Sequence, residues 1–582
     1  MPASLTRRFR GGEGITLAAL ALVVTGFCGV PLLMLFRVGV APEGSAALGP
    51  LLDVFASRSV MGALWRSVES GLLSALVATL VGTALALAIG LTNVRCKGPL
   101  VFLILLPMMI PPHVTAIAWI QALGPASPVL RWVGLAPEIG STHPIYSRQG
   151  LVALLAIQHM PLVFLVVRAS LRTFPRELSD AARICGAGAV RLLARITLPL
   201  LAPSLVAGFS LAFVAALGNF GINALIGIPA RYTTLPVLIW RRLSSYGPDV
   251  LGNVAVISVL LALVALVAGG LQLLVQRRLR TALVGPPQAP LAIDLGRWRP
   301  LVEAGLWAVV AATLVLPSVS LIATALVKTY GLPLSADTLT LANFEEVLVR
   351  QEVTLRAFAN STSIAAIAAC VIGAVAIGLG YFLALKRGPA RQVAGALASQ
   401  ANIAFAVPGL VVSIAFILAF IRPVPGLGVS LYGTLWIILM AYLAAFLAIG
   451  LNPVAAAYGQ IDGALDDAAR VSGAGFARRL GTIFAPLVAP AAASGAILVF
   501  LTAYNEVTVS ALLWSAGHET IGTVIFNYED GGYATLAAAM AAVTVVATIL
   551  IMTAMNALAR LIPDFDAPHV PVVQTEPTLL SF

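Results

Sequence analysis

Long apolar runs, separated by short stretches that carry nearly all the charge, repeat along the whole chain. The runs are solidly apolar rather than alternating. That pattern suits membrane helices and excludes the strands of a membrane β-barrel. A helix needs about 20 such residues to cross a bilayer. Twelve spans can be placed. The first six lie at roughly 14–36, 68–91, 98–121, 150–168, 200–226 and 251–275. The second six lie at roughly 301–327, 361–385, 397–421, 430–450, 487–513 and 533–557. Residues 276–300 hold Arg277, Arg278, Arg280, Pro286, Pro287 and Pro290, and read as a polar linker. The expected fold is therefore all-α and polytopic: two tandem six-helix halves, 1–275 and 301–560, followed by a tail, 561–582.

Composition agrees. The chain has 582 residues, 60% hydrophobic and 10% charged, against about 25% charged in soluble domains. A net charge of +11 would suit nucleic acid, but the basic residues sit in short inter-helix loops rather than in one patch. The preference of Lys and Arg for cytoplasmic loops accounts for them, so lipid and not nucleic acid is the expected surrounding. With the N-terminus placed in the cytoplasm, cytoplasmic segments carry 23 Lys and Arg and outer segments 12. Both termini are expected inside. Six spans is an even number, so the halves share one orientation, as in parallel-repeat transporters. Arg7, Arg8 and Arg10 before an apolar run resemble a signal sequence, yet the run is long and no Ala-x-Ala site follows, so a retained first span is expected. Cys28, Cys96, Cys185 and Cys370 show no disulfide or metal-ligand spacing, and no cofactor or metal is expected.

The halves also share punctuation. Asp180-Ala181-Ala182 is followed by Gly186, Gly188, Ile196, Pro199, Pro203 and Gly208. Asp467-Ala468-Ala469 is followed, 287 residues on, by Gly473, Gly475, Ile483, Pro486, Pro490 and Gly495. At background usage, coincidence of the five Gly and Pro positions at spacing 186, 188, 199, 203 and 208 has a chance of about one in a million. Ile110-Pro111 and Val407-Pro408 correspond as well, at an offset of 297. In the first copy Pro175 suits a helix start and Gly186 a helix stop. Leu178, Ala181, Ala182 and Cys185 share one face; Leu465, Ala468, Ala469 and Ser472 repeat it. A helix lying on lipid headgroups would want Leu, Phe or Trp there. Two alanines instead permit close approach of another protein, with the flanking Asp and Arg fixing its register.

These two segments resemble the EAA motif of ATP-binding-cassette importer permeases, Glu-Ala-Ala-x3-Gly-x9-Ile-x-Leu-Pro. Asp replaces Glu in both copies, and Ala485 replaces Leu in the second. The resemblance covers essentially the whole chain. It implies the type I, MetI-like permease fold in a bacterial inner membrane, with EAA loops at 172–199 and 459–486. It implies two copies of a cytoplasmic ATPase seated on them and a periplasmic solute-binding protein outside. The chain is not expected to be an enzyme: its lysines, Lys97, Lys328 and Lys386, lie outside any Gly-Lys-Ser/Thr phosphate loop.

Cargo is less legible. Polar residues within spans are pathway candidates: His113, Gln158, His159, Asn219, Asn223, Asn402, Asn505 and Glu506. Each lone histidine reads as a hydrogen-bonded packing residue rather than a metal ligand, and Glu506 either as pathway lining or as a solvated helix end near the outer mouth. Residues 217–243 and 505–514 resemble the ferric-iron branch of these permeases, with putrescine/spermidine, thiamine and aminoethylphosphonate permeases as alternatives. A secondary transporter could also show twelve spans, but it needs no paired Asp-Ala-Ala segments, and residues 92–99 lack the charged loop motif of such carriers. A membrane enzyme lacks support from any catalytic constellation.

Overall fold

The computed structural model describes residues 12–41, 49–138, 140–172, 176–245, 250–279, 293–423, 428 and 430–559. Pro175, most of the expected linker and the whole expected tail lie outside the described residues. The principal helices of the first half are α1 (Gly12–Val40), α2 (Arg58–Leu91), α3 (Lys97–Met109), α4 (Pro112–Leu123), α5 (Arg148–Arg172), α6 (Arg176–Ile184), α7 (Ala189–Gly218), α8 (Gly221–Gly227), α9 (Leu235–Leu243) and α10 (Val250–Leu279). Those of the second half are α11 (Gly296–Ala325), α12 (Glu352–Leu385), α13 (Pro389–Ala406), α14 (Gly409–Phe420), α15 (Leu435–Tyr458), α16 (Ala464–Val471), α17 (Phe476–Tyr504), α18 (Ser510–Leu513), α19 (Ile521–Asp530) and α20 (Ala534–Ala559). Among the described residues ten helices are long and apolar enough to cross a membrane, twelve if each of two bent pairs counts as one span.

Those bent pairs correct two of the expected spans. The segments at 98–121 and 397–421 are not straight crossings. They bend by 103° and 113°. The hinges are Pro111 and Pro408, both with ψ near the extended value, 139° and 138°. A residue preceding proline is disfavoured in the α region, so each helix ends just before its hinge. In the first half the carbonyls released at the bend are met by Gln158, whose Nε2 donates to Ile110 O at 3.3 Å and to Pro107 O at 3.5 Å. The spans expected at 200–226 and 487–513 are shifted toward the N-terminus, running Ala189–Gly218 and Phe476–Tyr504, with the short α8 and α18 beyond.

The repeat is clear in three dimensions. α2 and α12 are both 34 residues long. Each packs against the fourth and fifth helices of its own half, α5 and α7 or α15 and α17. At the end remote from the Asp-Ala-Ala segments, Ser67 Oγ accepts from Leu235 N (2.7 Å) and Ser361 Oγ from Ile521 N (3.0 Å). These bonds satisfy donors at the starts of α9 and α19, which have no partner within their own helices. The recurring Gly208 and Gly495 mark close crossings. A Cβ at Gly208 would lie 3.1 Å from Val163 Cγ1, and one at Gly495 would lie 3.1 Å from Gly450 O. In lipid, where every surface is apolar, small residues that let backbones approach are a main source of helix attraction.

The two sequence halves are not two separate packing units. α1 packs on α10 of its own half and on the bent pair α13–α14 of the other. There Gly29 abuts Gln400 of α13, and beside it Cys28 Sγ meets Ala444 O of α15 at 4.0 Å. α11 does the reciprocal thing, packing on α20 and on α4. Each first helix thus clasps the opposite half's bent pair.

Candidate functional site: docking helices and a closed gate

The residues of the repeated motif each have a structural task. α6 and α16 project at the same end of the bundle. Their outward faces carry exposed apolar side chains: Leu178 and Ile184 on α6, Leu465 and Val471 on α16. Ile184 is 87% exposed and Val471 89%. Ala181 and Ala468 lie exposed between them, whereas Ala469 is buried against the bundle. The expected face is thus exposed only in part: Leu178, Ala181 and Cys185 in the first copy and Leu465, Ala468 and Ser472 in the second, with Ala182 half-buried. Sequence reasoning missed Ile184 and Val471, its most exposed members, which a further step of three residues would have included.

Gly186 and Gly473 stop these helices with φ of +77° and +76°. Ala187 N then donates to Ala182 O and Ala474 N to Ala469 O, both at 2.9–3.0 Å, closing the left-handed helix end. Nothing lies within 4 Å of a Cβ at either glycine, so backbone conformation and not space requires glycine there. Ile196 and Ile483 fall in widened π-turns, Leu193–Thr197 and Leu480–Phe484. Pro199 and Pro486 follow directly. Proline lacks a donor and crowds the carbonyl four residues back, and a widened turn before it relieves both.

At the opposite end an aromatic cluster joins the two halves. Trp240 of α9 and Phe526 of α19 occupy matched positions of the two halves and meet edge to face, ring centroids 6.1 Å apart. Phe220 completes the cluster at 6.0 Å from Trp240 and 5.5 Å from Phe526. A small cavity of about 260 Å³ lies beside it, lined by Trp240, Ser244, Trp514, Thr523, Asn527 and Asp530. Beneath the cluster, the helix breaks after α7 and α17 meet the bends. Gly218 faces Pro408 across the two halves, and Gly221 faces His113.

The polar residues singled out as pathway candidates do not converge on one pocket. Several satisfy backbone groups at the breaks. Asn219 Oδ1 accepts from Ile222 N at 3.0 Å. Asn223 Nδ2 donates to Asn219 O. Glu506 stands at the position matching Asn219 and does the same work, accepting from Val509 N (2.6 Å) and Ser510 N (3.2 Å). It is a cap on α18 rather than a solvated helix end. Asn505 Nδ2 donates to Leu501 O at 3.1 Å, and its Oδ1 accepts from Thr548. Asn402 is exposed and bonds its own helix at Ala398 O. His113 departs from the hydrogen-bonded expectation. His113 is fully buried with neither ring nitrogen partnered among the described residues, and His159 Nδ1 is likewise unpartnered. The close crossing at Gly221 holds the His113 ring where no donor or acceptor reaches it. A separate cavity, about 550 Å³, lies on the flank between α3–α4, α11 and α20. Its lining (Val114, Leu314, Leu321, Val546, Leu550) is almost wholly apolar, unsuited to a charged solute.

The family model for binding-protein-dependent transport system inner membrane components matches twice, at residues 78–281 and 376–564. The chain belongs to that family. The permease is a tandem of two such domains; a bent pair and an exposed Asp-Ala-Ala helix occur once in each, and the aromatic cluster takes Trp240 from one and Phe526 from the other. It is 26% identical over 537 residues to a probable ABC transporter permease, y4fN, of Sinorhizobium fredii, covering 90% of this chain and 91% of that one. It is 28% identical over 213 residues to the molybdenum transport system permease protein ModB of Escherichia coli, which covers 35% of this chain and 90% of ModB. It is 23% identical over 498 residues to the ferric transport system permease protein FbpB of Actinobacillus pleuropneumoniae, covering 83% of this chain and 70% of FbpB. The permease is thus a multi-pass membrane protein of an ABC importer, and its relatives are transporters, not enzymes.

Proposed function

We propose that two copies of a cytoplasmic ATPase seat on α6 and α16 and that their closure opens the Trp240–Phe526 gate to a solute delivered by a periplasmic binding protein. The observation that carries this reading is the pairing of two exposed Asp-Ala-Ala helices at one end with an aromatic seal of matched residues at the other. The docking end is the cytoplasmic one, in keeping with the excess of Lys and Arg there. Asp180 and Asp467 supply charged contacts to the ATPase, Ala181 and Ala468 a close apolar seat, and Ile184 and Val471 the residues that become buried. Charge reversal at Asp180 and Asp467 together is expected to abolish ATPase binding while leaving the permease in the membrane. Undiminished ATPase capture by the double variant refutes the seat.

The proposed cargo is ferric iron. FbpB aligns with both halves in one chain, whereas the molybdenum and sulfate relatives align with about a third of it or less. A second reading, an oxyanion such as molybdate, rests on the 28% identity that spans 90% of ModB. Uptake of radiolabelled ferric iron and of molybdate by cells with and without the permease separates them. Loss of iron uptake alone supports the first reading, and loss of molybdate uptake alone replaces it with the second.

A further inference from the structure

The two docking helices are fastened to the bundle differently. Asp466 stands one residue before the Asp-Ala-Ala segment of α16 and points inward, 4% exposed. Its carboxylate accepts from Tyr381 Oη (2.9 Å) at the end of α12, from Lys386 Nζ (3.1 Å) just beyond it, and from Arg479 at the start of α17. Arg470 Nε lies 3.1 Å away. The same three cations hold Glu13 of α1, from the other half of the chain: Lys386 at 2.9 Å, Arg470 at 2.9 Å and Arg479 at 2.6 Å. Arg479 and Lys386 are 4% and 8% exposed. Phe476 and Phe484 pack on the Tyr381 ring, at 5.4 and 5.3 Å between centroids. Burial alone would raise the Asp466 carboxyl, but hydrogen bonds from Tyr381 and Lys386 and the charges of Lys386 and Arg479 outweigh it and hold it below the usual range.

The matching positions of the first half cannot repeat this cluster. At the positions matching Tyr381, Lys386, Asp466 and Arg479 stand Leu87, Thr92, Ser179 and Leu192, none of them charged. Arg299, matching Glu13, has the opposite charge and pairs with Glu303 at 2.9 Å. A rigid polar network at low dielectric resists separation, because parting one member leaves a buried charge without its partner. Across this cluster Arg470, Arg479 and Lys386 join α16 to Glu13 of α1, and α1 packs on the bent pair α13–α14 and on α10.

We propose that Asp466, Arg479, Lys386 and Glu13 are positioning residues that yoke the second docking helix to α1, so that movement imposed on α16 reaches both halves, whereas α6 lacks that yoke. The proposal rests on the reading of α6 and α16 as ATPase seats, and the test separates the two. The permease, with its ATPase and binding protein, is reconstituted in a background without native cysteines. Spin labels are placed at Arg241→Cys and Asn527→Cys, flanking the gate. The inter-label distance and the amount of trapped nucleotide are read with ATP and orthovanadate. In the parent the distance is expected to lengthen. In Arg479→Ala and in Lys386→Gln the ATPase is expected to bind and trap nucleotide at parental levels while the share of molecules with the lengthened distance falls at least tenfold. Arg479→Lys is expected to recover much of it, and Ser179→Ala, the matching position of the first half, to change nothing. Parental gate opening in Arg479→Ala and Lys386→Gln overturns the yoke while leaving the seats intact. Loss of ATPase binding in these variants also overturns it, since the cluster then only shapes the seat. A parent that traps nucleotide without any change at the gate overturns the coupling reading itself.

Discussion

Gly473→Ala isolates one physical term. The residue sits at φ +76°, and no atom lies within 4 Å of where the new Cβ would be. The substitution therefore adds no clash. What it adds is the cost of a left-handed backbone for a residue with a Cβ, about 1–2 kcal/mol. The bond that closes the helix end, Ala474 N to Ala469 O, forms only in that conformation. With alanine the helix end spends most of its time elsewhere, and a partner that requires the closed form binds more weakly in proportion. At 1.4 kcal/mol per factor of ten, the expected loss is about 5- to 30-fold in the dissociation constant of the ATPase for the permease. Gly186→Ala, at φ +77° with equally open surroundings, is expected to lose the same amount at the other seat. Asn tolerates the left-handed region, so Gly473→Asn is expected to stay within a few-fold of the parent. The assay is titration of purified ATPase against detergent-solubilised permease, followed by fluorescence anisotropy. Parental affinity in Gly473→Ala, or an equal loss in Gly473→Asn, refutes the argument: the first shows that the helix end is not part of the seat, the second that side-chain volume and not backbone conformation decides.

Trp240→Ala removes one wall of the aromatic seal, and is expected to raise passive leak of small ions through proteoliposomes by at least about tenfold, Phe526→Ala doing likewise because the two rings are paired; unchanged leak in both would place the gate elsewhere. Gly495→Ala drives a Cβ to 3.1 Å from the Gly450 carbonyl, a backbone atom that cannot rotate away, and is expected to cost about 1–3 kcal/mol, seen as a lowered thermal midpoint. Burial pushes the Glu529 carboxyl up to about 7 and leaves Oε2 without a hydrogen bond among the described residues. Its neutral form is the one the fold favours, so that stabilisation is full below the ordinary carboxyl value and is lost as pH rises through about 7; the thermal midpoint is expected to fall from pH 5 to pH 8, and Glu529→Gln to flatten that fall. Asp466 has the opposite sign, its carboxyl held low, so its contribution is present above about pH 4 and is lost on acidification; Asp466→Asn is expected to melt lower at neutral pH and to show a shallower acid transition.

Legibility followed the range of the forces involved. The repeated Asp-Ala-Ala, Gly186 and Gly473, Pro199 and Pro486 were readable because each acts within a few residues: a helix stop needs one left-handed residue, and a proline disturbs one turn. The bends at Pro111 and Pro408 were within reach for the same reason, but their angle was not. A proline says that a helix ends and leaves the direction of the next to its neighbours, here Gln158 and the crossing at Gly221 and His113. Polar residues inside apolar runs were read as candidates for cargo, and most of them turned out to satisfy backbone at breaks the sequence marked only faintly. Glu506 and Asn219 differ in type yet cap in the same way, and that correspondence emerges only when the halves are compared in space.

The sequence by itself determined a helical membrane protein, its duplication, the place of its two outward docking-type helices and the residues that end them. Those properties follow from the period of apolar residues and from local backbone chemistry, which one stretch of chain carries alone. Only the tertiary structure decided that α1 and α11 exchange partners, that Trp240 meets Phe526, and that Glu13 is held by Arg479, 466 residues away. In a bilayer nearly every helix face is apolar, so hydrophobic pattern no longer tells which face meets which helix. Packing of small residues and a few buried charges makes that choice, and both are properties of surfaces brought together rather than of any one segment.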